Sequence, residues 1–336
     1  MIYRRLGQCG LKVGAFSLGA GNWGAGRMDE AAVREMLAAA MDLGVIYFDN
    51  AEGYANGQAE LVMGRALKSL GWSRVKYIVS TKFFWGLDKG PNQKNTLNRK
   101  YLLHGMEQAL KRTQLDYIDL VYCHRPDPHT PVEETVWALH NIIERGLALY
   151  WGTSEWSATQ IRSAIDIAQR HHLHRPVVEQ PEYNLLHRRR LEVEYAPLSR
   201  ETSVGLAIWS PLAGGTLTGK YLEDIAPDTR AAAMAGLKDL GRSLTDPRRL
   251  QIVGRLAGIA GDAGIPLGRL ALAWCLRRPE VSTVILGASS VGQLVENLQA
   301  LDLLPRLDTA LLTRIDAAVG DFSESWVGGS PWHYED

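Results

Sequence analysis

The chain has 336 residues, 46% hydrophobic and 22% charged, an ordinary globular balance with ample material for a large core. Lys plus Arg equals Asp plus Glu at 37 each, so no overall field favours a nucleic acid or an anionic membrane. The widely spaced Cys9, Cys123 and Cys275 offer neither a disulfide framework nor a metal-ligand spacing, and they fit a reducing compartment.

Along the chain, MIYRRLGQCGLKVG begins with arginines, but Lys12 and several glycines interrupt any apolar run, so a secretory signal is not expected. The same stretch predicts a β-hairpin with Gly10 near its turn. Next comes GAGNWG, Gly19 to Gly24, which spells the G-x-G-x-x-G of a dinucleotide-binding βαβ unit. In such a unit the third glycine lies within the helix. Here Gly24 is followed by Ala-Gly-Arg-Met, and the convincing N-cap, Asp29, comes afterwards. Asp49 is also later than the acidic residue expected about 20 residues on. The glycines therefore read as an ordinary βα loop.

From there strand-length apolar runs alternate with amphipathic helical segments. The runs are AFSLGA, IYFDNA, YIVSTK, YIDLVYCH, LYWGTS, VVEQPEYN, GLAIWSP and TVILGA. Between them lie DEAAVREMLAAAMDLG, QAELVMGRALKSL, NRKYLLHGMEQALKRT, PVEETVWALHNIIERG, SATQIRSAIDIAQRHH and RRRLEVEYAPLSRE. Ala32, Met36, Ala39 and Ala40 fall on one helical face, Asp29 and Ser157 suit N-caps, and Pro131 suits a first helical position. Arg188-Arg189-Arg190, the densest basic cluster, reads as a solvated helix start. Eight strands joined by helices imply parallel pairing. A doubly wound sheet remains open, but the absence of any linker favours one (β/α)₈ barrel domain over residues 1–336. The apolar run LALAWCL is too short to span a bilayer, and a cytoplasmic location is expected.

Barrel chemistry gathers where strands end. Those positions hold Asp49 in FDNAEGY with Tyr54 in the loop, Lys82 in STK, His124 in YCHRPDP, Ser154 in WGTSEW and Gln180 in EQPEYN. Singly, each has a bland reading: Asp49 and Lys82 an ion pair, Tyr54 a rim aromatic, His124 a hydrogen-bonded barrel residue. Jointly they make a reaction. A tyrosine holds its proton well, an ammonium stabilises the phenolate it leaves, a carboxylate keeps that ammonium charged, and a histidine positions a carbonyl. Such a set protonates a carbonyl oxygen while hydride reaches carbon, and it needs no metal.

At these residues the chain resembles the aldo-keto reductase superfamily, more closely its branch of voltage-gated potassium channel β-subunit-like reductases. The likeness is carried in order by FDNAEGYANGQAE, STKFFWG, RPDPHTPVEETV, LYWGTSEWS, WSPLAGGTLTGKY, LAWCLRRPEVSTVILGAS and LVENLQAL. It implies a (β/α)₈ TIM barrel that reduces small aldehydes or ketones with NADPH, and a homo-oligomer of four or more copies. It matches Asp49, Tyr54, Lys82 and His124 to the catalytic tetrad, with Tyr54 as general acid. Ser154 and Gln180 match the residues holding the nicotinamide carboxamide. Trp209 matches the aromatic stacked on the ring, and Asn22 and Trp23 match a loop at the ribose and substrate pocket. A Gly-rich connection after the seventh barrel strand is implied to cover the pyrophosphate, with Ser210, Leu212, Gly215, Thr218 and Lys220 lining it and Arg230 nearby. GASSVGQLVEN, beginning at Gly287, would take the 2′-phosphate on Ser289, Gln293, Glu296 and Asn297 at a helix N-terminus. Ser290 with Gln293 also reads as a capping box that needs no ligand.

The chain departs from the family at two places. The 2′-phosphate segment offers neutral Ser and Gln where many relatives place Lys and Arg, so Lys220 or Arg230 must supply charge. Glu155 stands where the family more often has an amide or a basic residue, and a carboxylate there is expected to weaken cofactor binding or alter its exchange. His124, in contrast, is the residue of active reductases, whereas the channel subunits carry Asn. That weighs against the alternative, a nucleotide-sensing regulatory subunit with slow turnover. Trp23, Tyr54, Phe84, Trp85 and Trp156 are expected around the substrate, joined by Trp332 or His333 of the tail.

Overall fold

The computed structural model describes residues 1–24, 28–222 and 246–322. All eight apolar runs form strands: β3 (Phe16–Gly19), β4 (Tyr47–Asp49), β5 (Ile78–Phe83), β6 (Ile118–Cys123), β7 (Ala148–Thr153), β8 (Val178–Glu179), β9 (Gly205–Ile208) and β10 (Val281–Leu286). They close into a parallel barrel in the order β10-β3-β4-β5-β6-β7-β8-β9. Every residue of β5, β6 and β10 is buried, as two covered faces require, so these runs do not alternate. The register pairs Gly19 with Asp49, Asp49 with Ser80, Phe83 with Cys123, Cys123 with Thr153 and Thr153 with Glu179. The ends of six neighbouring strands, β3 to β8, are thereby brought to one rim.

The antiparallel hairpin β1 (Tyr3–Arg5) and β2 (Lys12–Gly14) plugs the other end. Leu6 and Val13 pack with Tyr47, Ile78, Leu120 and Val178 in the barrel interior, each such buried side chain contributing about 1.5–3 kcal/mol. The hairpin's left-handed residue is Gly7 (φ 59°), not Gly10. A Cβ on Gly7 would lie 2.5 Å from the Ser203 carbonyl, so only glycine lets the turn seat against the barrel.

Helices ring the barrel. In α1 (Glu30–Asp42) Asp29 caps the Ala32 N–H at 2.9 Å, and the buried face is Val33, Met36, Leu37 and Ala40. The face is rotated from the expected one because Ala32 and Ala39 are only partly covered. Ser157 and Gln160 complete a capping box at the start of Ala158–Arg170. Pro131 is the N-cap of Val132–Glu144, one position before the expected one. RRRLEVEYAPLSRE is not one regular helix. A π-helical turn, Arg190–Tyr195, precedes a short α-helix, Ala196–Thr202. Pro197 has no N–H to continue an i→i−4 ladder, and the altered turn ends just before it. The triplet is not uniformly solvated either. Arg189 is exposed, but the Arg190 side chain is only 9% accessible and pairs with Glu155. After β9 the chain turns through Ala213–Thr218, and the next helix among the described residues is Pro247–Asp262. The part of the expected cofactor-covering loop over 223–245 lies outside the described residues. Among the described residues no single helix is long and apolar enough to cross a membrane.

Candidate active site

Asp49 ends β4, Lys82 stands one residue from the end of β5, and His124 directly follows β6. The barrel register alone therefore converges them. The Lys82 ammonium, fully buried, donates to Asp49 Oδ2 at 2.6 Å, to the Asn50 carbonyl at 2.8 Å and to Tyr54 Oη at 3.3 Å. Burial pushes the ammonium down, but the Asp49 charge and the Tyr54 oxygen outweigh it and leave its pKa above the ordinary value. Asp49 is fixed in turn by Ser80 Oγ at 2.6 Å and Gln180 Nε2 at 3.1 Å. Behind Ser80, the buried hydroxyls of Tyr47 and Tyr122 lie 3.0 Å apart, Tyr47 donating to Ser80 Oγ at 3.1 Å.

His124 meets Tyr54 edge to face at 6.0 Å and Trp85 at 6.1 Å. Burial first, then the positive charges of Arg125 and Lys82, holds its imidazole well below the ordinary pKa, so it is neutral. Its Nδ1 is buried without a partner among the described residues, as are Nε1 of Trp23 and Nε1 of Trp156. Unpartnered buried polar atoms on the same set of mouth residues suit a polar ligand. Trp23 and Trp156 are 1% and 2% accessible, whereas Tyr54 and Trp85 are half-buried. Phe84 is fully buried and meets Trp85 edge to face at 5.0 Å. Glu52, buried beneath this loop, accepts from the backbone N–H of Phe84 and of Gly86, both at 3.0 Å, and from the Tyr101 hydroxyl.

On the facing part of the rim, Ser154 Oγ donates to the Gln180 carbonyl at 2.9 Å and meets Arg125 Nη1 at 3.3 Å. Glu155 is left-handed (φ 59°) and 8% accessible. Its carboxylate takes the Arg190 guanidinium, the Glu182 N–H at 2.7 Å and the Trp209 indole N–H at 3.1 Å. Arg190 thus balances the Glu155 charge, and the carboxylate tethers the aromatic. Glu179 lies beneath, accepting from Thr153 Oγ1 and the Glu155 N–H, both at 2.6 Å. Burial, then the Glu155 charge, pushes Glu179 up to about 8.

Of the remaining predicted cofactor residues, Asn22 donates to the Gly287 carbonyl at 3.1 Å, joining the loops after β3 and β10. Ser210, Ala213, Gly214 and Gly215 all have positive φ, a strained turn that includes two non-glycine residues. A Cβ on Gly215 would lie 3.2 Å from Lys220 Nζ, so the glycine admits the ammonium against the loop backbone. Thr218 donates to the Gly215 carbonyl at 2.7 Å, and Leu212 is half-buried. Ser290 Oγ caps the Gln293 N–H at 3.2 Å, but the Gln293 side chain turns to Ser289 instead, with 3.0 Å to both its N–H and Oγ. Only half of the expected capping box forms. Glu296 lies 3.6 Å from Arg269, and Asn297 is half-buried on the same helix. Arg230, Trp332 and His333 lie outside the described residues.

Sequence reasoning missed Ser80, Arg125, Glu179, Arg190 and Arg269. Ser80 had a signal, because its residue pairs with Asp49 in register. Arg190 had none, since 35 residues separate it from Glu155.

Compared with known proteins, residues 11–319 match the model of the aldo/keto reductase family. A protein of Oryza sativa subsp. japonica named "Probable voltage-gated potassium channel subunit beta" is 48% identical over 95% of this chain and 97% of its own. One of the same name from Arabidopsis thaliana is 46% identical over 95% and 97%. A "Putative voltage-gated potassium channel subunit beta" of Schizosaccharomyces pombe is 42% identical over 94% and 92%. The parallel barrel, the buried lysine at its mouth and a family match running almost from end to end agree: the chain belongs to the aldo/keto reductase family.

Proposed function

We propose that this chain reduces small aldehydes or ketones to alcohols with NADPH, acting as one barrel with Tyr54 as general acid. The observation that best supports this is the buried Lys82 ammonium bridging Asp49 and Tyr54 at 2.6 and 3.3 Å. A reduced nicotinamide held at the mouth would supply the hydride for the carbonyl carbon. Tyr54 gives its hydroxyl proton to the carbonyl oxygen, and the electron pair of the broken O–H bond stays on the phenolate. Lys82 stabilises that phenolate without moving, because Asp49 and the Asn50 carbonyl already fix it. Neutral His124 orients the carbonyl oxygen by a hydrogen bond and adds no competing charge.

Asn22, Trp23, Asp49, Ser154, Gln180 and Trp209 would hold the nicotinamide half of the cofactor. Ser210, Leu212, Gly215, Thr218, Lys220 and Arg230 would hold the diphosphate, and Gly287, Ser289, Gln293, Glu296 and Asn297 the 2′-phosphate end. Trp23, Tyr54, Trp85 and Trp156 would bound the substrate. Arg269 beside Glu296 adds a cation that the sequence reading of this region lacked. A homo-oligomer in the cytoplasm completes the reading. The names of the relatives favour a second one, a nucleotide-sensing channel subunit that turns over slowly.

NADPH absorbance followed with the purified protein and a panel of small aldehydes, with NADH in parallel, separates the two. Sustained oxidation of NADPH and little of NADH is expected. Comparable rates with both would mark Ser289 and Gln293 as a relaxed site. Tight NADPH binding without turnover on any aldehyde would overturn the reductase reading in favour of the regulatory one.

A further inference from the structure

Away from the mouth, the end of helix Val132–Glu144 faces the segment that follows helix Ala158–Arg170, at the barrel end where strands begin. His140 and Glu144 are one helical turn apart and project the same way. His174 approaches from the other segment until the two Nδ1 atoms are 2.9 Å apart. Its Nδ1 is also 3.8 Å from Glu144 Oε1, and ligand atoms of all three residues lie within 4.8 Å of one another. The arrangement is anchored. The His174 carbonyl accepts the Trp151 indole N–H at 2.8 Å, the Leu173 N–H donates to the Ala168 carbonyl at 2.8 Å, and Trp137 packs edge to face on His140 at 6.0 Å.

Two imidazole nitrogens so close need something between them. A single proton serves if one ring donates to the other, but two protonated rings would repel. A metal ion serves both lone pairs and also draws in the carboxylate. Zinc–nitrogen bonds are about 2.0–2.1 Å, so two ligands on one ion are at most about 4.2 Å apart. The 2.9 and 3.8 Å separations fall inside that span. Neighbouring charges do not claim the set: Arg145 pairs with Glu107 at 2.9 Å, and His171 lies 3.5 Å from Glu133.

We propose that His140, Glu144 and His174 bind one divalent transition-metal cation of the zinc class, tying the end of the fourth barrel helix to the segment entering β8. Two imidazoles and one carboxylate favour zinc or copper over magnesium or calcium, which prefer all-oxygen sets. Water completes the coordination on the exposed side. The site is distinct from the catalytic mouth, and its role is to staple the outer layer. Spacing alone did not show it, because His174 is 34 residues from His140.

Equilibrium dialysis of the full-length protein against zinc chloride tests this, with thermal unfolding followed in parallel. One zinc per chain is expected, with a rise in Tm. His140→Ala and His174→Ala should each weaken zinc binding at least about tenfold and abolish the rise, since even outer-shell changes cost 10–100-fold. Glu144→Gln should weaken it less, and His104→Ala, an exposed histidine elsewhere, not at all. Unchanged aldehyde reduction or NADPH binding in these variants certifies that they are folded. Absence of zinc from the parent protein, or its retention by both histidine variants, would overturn the proposal.

Discussion

The two sides of the barrel mouth solve the same electrostatic problem with different economy. On one side Asp49 and Lys82 form a single pair, and the surplus hydrogen-bonding capacity of the lysine is aimed at Tyr54. On the other, Glu155 and Arg190 form a pair whose surplus is aimed at the Trp209 indole and the Glu182 backbone, with a second carboxyl, Glu179, kept below it. The first pair holds the Tyr54 hydroxyl; the second holds the Trp209 indole. Buried pairs of this kind do not by themselves imply stability, because desolvation offsets much of their attraction. What they secure is position.

Breaking either pair by removing its cation should have the largest effect. Lys82→Met or Arg190→Met leaves a carboxylate buried with no countercharge, at a cost of about 3–5 kcal/mol. Urea denaturation checks the magnitude. The comparison predicts a difference in function: Lys82→Met also abolishes turnover, whereas Arg190→Met retains whatever turnover its folded fraction allows with a looser Trp209. Equal residual activity in the two would erase the distinction between the sides.

Tyr54→Phe comes next and touches only the first side. The ring and its edge contact with His124 remain while the proton donor is lost. Turnover should fall roughly 10²-fold or more, about 2.7 kcal/mol in barrier, with NADPH affinity and unfolding free energy little changed. Near-normal turnover would remove Tyr54 from the role of acid.

The sides also differ in how far the sequence disclosed them. Asp49, Tyr54, Lys82 and His124 lie within a strand end or its following loop, and barrel order places them together once the alternation of runs is read. The strand count was legible because burial on two faces writes continuous apolar runs, whereas the N-terminal hairpin was legible from its glycine turn signal. Glu155 was visible only as a departure from the family, because its partner Arg190 comes from a π-helical turn that no 3.6-residue period announces. Pro197, which disturbs that turn, was in view, but its consequence depended on the packing of Arg190 and Tyr195. The metal-ligand cluster was hidden likewise, since long-range contacts between exposed residues leave no periodic trace.

Glu179 provides a pH-dependent handle on the second side. Burial and the neighbouring Glu155 charge raise its folded pKa from 4.5 to about 8, so the folded state holds the proton more tightly than the unfolded chain. Below the ordinary value both states are protonated, and this group leaves stability at its maximum. As pH rises through that value toward about 8, the unfolded chain ionises first and stability declines, by up to about 1.4 kcal/mol per pH unit. Above about 8 both states are ionised and the loss levels off. Glu179→Gln should remove this component, so the difference between parent and variant unfolding curves slopes across that window and is flat outside it. A flat difference throughout would mean that Glu179 is already ionised, with Arg190 serving two carboxylates.

The smallest expected effect separates charge from hydrogen bonding at Glu155. Glu155→Gln retains an acceptor for the Trp209 and Glu182 N–H groups but turns an amide toward Arg190. Glu155→Ala removes both. If the tether is the acceptor, Gln keeps the Trp209 fluorescence of the parent and Ala shifts it, in samples lacking nucleotide. A hydrogen bond accepted by a charged group contributes about 1.5–3 kcal/mol, so NADPH affinity should drop about tenfold or more in Ala and less in Gln, which keeps a neutral acceptor. If the charge matters more, both variants change alike, and Arg190→Met shares their phenotype. That result would make the second side a charge-balanced platform, with Trp209 positioned by packing and by its own backbone bonds to Pro181 and Tyr183 at 3.0 and 3.3 Å.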